Sequence, residues 1–154
     1  MTRYAERTEV SSEKSRSEIE KTLRRYGATA FAYGWQGLEA TVMFELADRR
    51  IRFAIPMPDP ADGQFVLTPT GRERSQAAAE KEYEQAVRQS WRALALVIKA
   101  KLEAVDAKIS TVEDEFLAHV VLPDGSTVGD WVAPQLQVAY SQGQMPALLP
   151  GGGS

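Results

Sequence analysis

The chain has no cysteine among its 154 residues, which removes a disulfide scaffold, a thiol nucleophile and any cysteine-ligated zinc or iron–sulfur centre in one step. It has a single histidine, His119. Glu115 lies four residues before it, a spacing at which two helical side chains can share a metal, but two ligands are too few for a metal site. No apolar run approaches the roughly 20 residues of a bilayer-spanning helix. Charges sit where a secretory leader would be apolar. A cytoplasmic protein without a membrane partner is the expectation. Positive charge is not in excess either: 18 basic side chains face 21 acidic ones, for a formal net charge of −3. No global field draws in a polyanion, and any basic patch must be local.

Glycine and proline are missing from the stretch between Glu73 and Ile109, and that absence organises the rest. The stretch is rich in alanine and other good helix formers. Its apolar members Tyr83, Val87, Trp91, Leu94, Ile98, Leu102, Val105 and Ile109 recur at spacings of three and four, which predicts one long helix with a single core-facing side. A second tract of Ala79, Ala86, Ala93, Val97, Ala100 and Ala104 can admit another helix at close range. Within one chain the terminal helix is the cheapest cover for it, and a homodimer seam is the alternative.

Ahead of this helix the period changes from three and four to two. Phe31, Tyr33 and Trp35 alternate, as do Leu38, Ala40, Val42, Phe44 and Leu46, and then Ile51, Phe53 and Ile55. Turns at Gln36-Gly37 and Ala47-Asp48-Arg49 make these an antiparallel meander. Pro56, Pro58 and Pro60 stop the sheet, and Phe65 to Leu67 can add a short fourth strand. A first helix capped at Ser12 or Ser15 carries Ile19, Leu23 and Tyr26 to Gly27. After Ser110-Thr111 a short helix holds Val112, Phe116 and Val120. Thr127 and Asp130 then cap a terminal helix that runs to Gly143 despite Pro134, and Met145, Leu148 and Leu149 can lay a tail over the core. The expected fold is α+β: a three- or four-stranded antiparallel meander on a long central helix, with an N-terminal helix and two shorter C-terminal helices. One domain spans 12–150, preceded by a flexible arm over 1–11 and followed by a linker or cloning remnant at 151–154.

At about 100° per residue, Arg74, Lys81, Arg88, Arg92 and Lys99 align as a basic ridge beside the apolar side of the long helix. Such a ridge can track phosphates, with arginine supplying forked donors and lysine a mobile point charge. Arg50 and Arg52 on the third strand can widen it, and Tyr33 and Trp35 can stack bases if their face is open. Asp124, Ser126, Thr127 and Asp130 cluster round a glycine turn, but without calcium-loop spacing or a phosphate-loop lysine. Capping chemistry accounts for them. No catalytic residue, metal or cofactor is assigned.

Tyr33-Gly34-Trp35, the segment Arg50 to Pro56, and Trp91-Arg92-Ala93-Leu94 through Lys101-Leu102-Glu103 with Leu122-Pro123-Asp124-Gly125 resemble small uncharacterised proteins carried by bacteriophages and prophages. The resemblance covers most of residues 12–150 and implies a phage origin without supplying an activity. The strand-strand-strand-helix order is similar to part of the Rad52-like single-strand annealing fold. A non-enzymatic phage nucleic-acid-associated accessory protein follows as the expectation, in DNA recombination or replication, with single-stranded nucleic acid as partner and oligomerisation reinforcing the contact. The alternatives are a protein-binding factor that inhibits or redirects a host complex and, in third place, a small enzyme.

Overall fold

Alternating side chains over residues 30–56 build three strands, β1 Ala30–Gln36, β2 Glu39–Leu46 and β3 Arg49–Pro56, paired antiparallel in the order β1-β2-β3. In the computed structural model, which describes residues 3–145 and side chains from residue 10 onward, they are followed and flanked by helices α1 Arg3–Arg25, α2 Gly63–Val66, α3 Gln76–Asp106, α4 Val112–Phe116 and α5 Val128–Gln142. A 3₁₀ turn at Leu117–His119 separates α4 from the segment leading to α5. The α+β class and the meander are as the sequence predicts.

The register places Tyr33 opposite Val42 and Phe44 opposite Ile51. One sheet face therefore gathers Ala40, Val42, Phe44, Ile51 and Phe53, all buried. Against it lie α3, through Val87, Trp91, Leu94, Ile98 and Leu102, and α1, through Ile19 and Leu23, in a single continuous core. Trp91 is its largest fully buried side chain. The indole N–H of Trp91 finds no acceptor among the described residues, an omission that costs on the order of 1–3 kcal/mol. Burying the ring outweighs it, because an aromatic of this size removes roughly 150–250 Å² from water. Phe116 closes the other end of the core, edge-on to Phe44 and Phe53 at centroid distances of 5.7 and 6.2 Å.

Several boundaries depart from the sequence expectation. The expected arm is helical, since α1 begins by Arg3, and Ser12 is a buried interior position rather than a cap. Its small side chain suits a crowded helix contact, and its hydroxyl accepts a bond from Arg16 Nε at 3.0 Å. The long helix starts at Gln76, where Ser75 Oγ accepts from Ala78 N, and stops at Asp106. Lys108 turns left-handed at φ 62°, so Ile109 lies outside the helix and is 81% exposed instead of in the core. The fourth strand is replaced by α2, one turn capped by Asp62 that buries Phe65 edge-on against Tyr83. Leu38 belongs to the first hairpin turn and is exposed.

The terminal helix also differs. Its capping box at Thr127 and Asp130 and its left-handed Gly143 stop are as predicted. However, α5 packs on the 3₁₀ turn and shares no extended packing face with α3 among the described residues. Gly129 sets this placement: a Cβ there would sit 2.9 Å from the Ala118 carbonyl oxygen. Met145 is exposed, while the Leu148-Leu149 tail lies outside the described residues.

The β2–β3 turn holds Ala47 at φ 49° and Asp48 at φ 61°. Two positive φ angles define a type I′ hairpin, which favours Asn-Gly because a Cβ is penalised there. Replacing the pair by Asn-Gly is expected to raise stability by about 1 kcal/mol, read as a higher urea midpoint at unchanged slope.

Candidate nucleic-acid interface

Helices that pack side by side on a sheet leave a furrow on their outer side. Between α1 and α3 this furrow encloses about 560 Å³ and is lined by Lys14, Glu18, Arg88, Arg92 and Lys99, with Ser11, Ser15, Thr22, Gln85 and Gln89 between them. On α3 the polar lining lies a quarter turn or more from the sheet-facing row, and on α1 Lys14 and Glu18 lie as far from Ile19 and Leu23. The groove consequently opens away from the sheet. Among its described lining residues four are basic and one is acidic: Arg88, Arg92 and Lys99 on α3 face Lys14 and Glu18 on α1. Among the described residues no ion pair engages Lys81, Arg88, Arg92 or Lys99. With helix axes roughly 8–10 Å apart, such a furrow can admit one extended chain, and its charge suits an anionic one.

Arg88, Arg92 and Lys99 are brought together as the helical spacing predicts, all exposed. Lys81 continues the same stripe toward the helix N-terminus and is exposed, outside the groove lining. Arg74 departs from the ridge. It precedes the helix cap, so the 100° rule does not reach it, and its side chain is only 17% exposed. Its guanidinium donates to the carbonyls of Gln64 and Phe65 at 3.1 and 3.3 Å and approaches Glu82 at 3.9 Å. This arginine ties α2 to α3.

Arg50 and Arg52 do not widen the ridge. They alternate with buried Ile51 and Phe53 and therefore lie on the sheet face opposite the helices. Arg50 is paired with Glu45 at 3.4 Å on that face. Tyr33 and Trp35 are not a stacking platform either, because they face the helix layer and pack on the core. Tyr33 lies 5.3 Å from the Trp91 ring and carries the Arg16 guanidinium over it at 4.4 Å. The residue missed by sequence reasoning is Lys14. Its polar neighbours on α1 marked a solvent face, but nothing local says that this face borders α3.

Comparison with family models, curated proteins and solved structures gives no match to this chain. The groove is read on its own geometry.

The remaining polar clusters are accounted for by folding. Asp124 Oδ1 accepts from Ser126 N at 3.0 Å and from Ser126 Oγ at 2.6 Å, and these bonds hold its carboxyl below the ordinary range. No group of three or more metal-binding side chains occurs among the described residues. Lys101 donates to the Glu115 carbonyl at 2.8 Å, joining α3 to α4. His119 is not a free surface imidazole but stacks on Phe53 with ring centroids 3.9 Å apart. Burial lowers its pKa, the Lys101 charge lowers it further, and a hydrogen bond with the Arg52 backbone opposes both.

Two outcomes follow from these placements. A folded pKa below the unfolded value of about 6.5 means that the unfolded chain binds more protons between the two values, so stability rises with pH across that window. The contribution from His119 is complete above about pH 6.5 and is lost as pH falls through the folded value. In thermal melts between pH 7.5 and pH 5, His119→Phe, which keeps a ring on Phe53, is expected to flatten this part of the slope. Separately, Arg74→Ala is expected to cost about 1–2 kcal/mol in urea unfolding, and Arg88→Ala less than about 0.5 kcal/mol.

Proposed function

We propose that the α1–α3 groove binds the sugar-phosphate backbone of single-stranded nucleic acid and that the chain acts as a non-enzymatic nucleic-acid-associated accessory protein. The observation that carries this reading is the convergence of Lys14, Arg88, Arg92 and Lys99 on one furrow, with Glu18 the single acidic lining residue among those described, in a chain of net charge −3. A local field of this kind persists only within about a Debye length, roughly 10 Å at 0.1 M salt. The ligand must enter the groove to feel it.

The spacing suits successive phosphates. Arg88 and Arg92 are one turn apart, about 6 Å along the axis, and Lys99 follows about 10 Å further. Each arginine can present two parallel N–H donors to a phosphate, while lysine adapts to its position. Gln85, Gln89 and the groove hydroxyls offer further donors. Phosphate contacts orient a strand without reading its bases, and among the described residues no aromatic ring lines the groove. Binding is then indifferent to sequence and strongly salt-dependent. The phage setting belongs to this proposal and rests on the resemblance of Trp91-Arg92-Ala93-Leu94 and its companion segments to phage proteins, while a role in recombination or replication rests on the strand-strand-strand-helix order similar to part of the Rad52-like annealing fold.

Charge reversal at Arg88 and Arg92 together is expected to reduce binding of a fluorescent mixed-sequence oligonucleotide by at least about tenfold in anisotropy titrations. Reversal of Arg50 and Arg52, on the other side of the sheet, should leave it nearly unchanged. Three or four phosphate contacts give a slope of roughly −2 to −3 in log K against log salt for a single strand. Failure of the natural chain to bind DNA or RNA at low salt would refute the proposal, as would equal binding by the Arg88/Arg92 variant.

A further inference from the structure

Helical spacing sets Arg88, Arg92 and Leu96 in one row on α3, each four residues after the last, with Lys99 three residues further on. The furrow wall on α3 therefore reads cation, cation, leucine, cation, and all four side chains are exposed. Arg88 and Arg92 stand about 6 Å apart along the axis, whereas Arg92 and Lys99 are separated by about 10 Å. Leu96 fills that wider interval. It is 62% exposed and lies outside the core, which α3 enters through Leu94 and Ile98. A single exposed leucine needs no explanation on a plain surface, but this one interrupts a run of cations along a groove.

Leu96 also stands at a different depth from its neighbours. At about 100° per residue, it is turned roughly 40° beyond Arg92 on the side away from the sheet. Ala95 is turned about 60° the other way, towards the core against which it packs. Ala95 thus belongs to the floor of the furrow and Leu96 to its rim. Among the described lining residues these two alone are apolar, and none is aromatic.

We infer that Leu96 is the base-contacting residue of this furrow: an unpaired base of the bound strand, between the phosphates held by Arg92 and Lys99, turns outward and lies against the Leu96 side chain. The inference depends on the furrow being a phosphate-binding site and adds what the bases do there. Charge fixes which end of each nucleotide enters, because Lys14 on one wall and Arg88, Arg92 and Lys99 on the other draw the phosphates between them. The bases are left to project over the rim, where covering an apolar side chain with a base face removes both from water. The interval occupied by Leu96 is the one stretch of the row without a cation, so the strand is held there by this contact instead of by another phosphate. Every base has such a face, which keeps the contact tolerant of sequence. In a duplex the faces are stacked on one another, and an apolar side chain reaches them only by prising a step apart. Leu96 therefore favours single strands over duplex.

Anisotropy titrations with two fluorescent oligonucleotides of equal length, one of mixed sequence and one abasic throughout, test this. Both carry the same phosphates. The natural chain is expected to bind the base-bearing strand about fivefold more tightly, which is what burying roughly 40 Å² of apolar surface is worth. Leu96→Ala should bind both strands at the abasic level with an unchanged salt slope, since its phosphate contacts are intact. Leu96→Met, which keeps an apolar side chain of similar size, should retain the preference. Both variants should keep the natural urea midpoint, because the side chain lies outside the core. Equal binding of the two strands by the natural chain, or a preference that survives in Leu96→Ala, overturns the inference and leaves backbone binding in place. Binding of neither strand at low salt overturns both the base contact and the furrow as a phosphate site.

Discussion

Seating one side of a 31-residue helix on three strands is the constraint from which the other features follow. Trp91 lies at the centre of that contact with no exposed surface, flanked along α3 by Val87, Leu94 and Ile98 and met from the sheet by residues such as Val42 and Phe44. A helix of this length is about 46 Å long, more than a strand of eight residues can cover. The ends must find other partners: α2 and Phe65 support the N-terminal part through Tyr83, and α4 with Phe116 supports the C-terminal part through Lys101.

Because the sheet takes one side of α3 and α1 lies alongside it, the polar stripe of α3 is not a free surface. It becomes one wall of a furrow. The charges of Arg88, Arg92 and Lys99 gain a facing wall with Lys14 and Glu18, and the net charge of the described lining is opposite in sign to that of the chain as a whole. Concentrating charge in this way has a modest cost while the side chains remain hydrated, and the repulsion is relieved when an anion enters. Arg74 shows the contrary case. Satisfied by two carbonyls and a carboxylate, it belongs to the fold and not to the furrow.

The two surfaces that the core leaves unfilled have different characters. The furrow is basic, with Ala95 and Leu96 among its polar lining residues, and its charge suits an anionic ligand. The flanks of α5 carry exposed apolar side chains, and the depression beside Met57 and Ala93 mixes apolar residues with Gln64, Gln89 and Ser90.

Local chemistry was enough to specify the three strands, the body of α3 and the caps of α5. Period-two alternation over 30–56, period 3.6 over α3, the Thr127 and Asp130 box and the Gly143 stop are all visible in the chain because each depends on neighbours within four residues. The alignment of Arg88, Arg92 and Lys99 is of the same kind. Tertiary structure decided which face each charge would share: that Lys14 joins them across a helix pair, that Arg50 and Arg52 lie behind the sheet, that Tyr33 is consumed by Trp91 and Arg16, and that α5 misses α3. Those outcomes depend on contacts between residues far apart in the chain, where the burial of a whole surface outweighs any preference that a single segment can express.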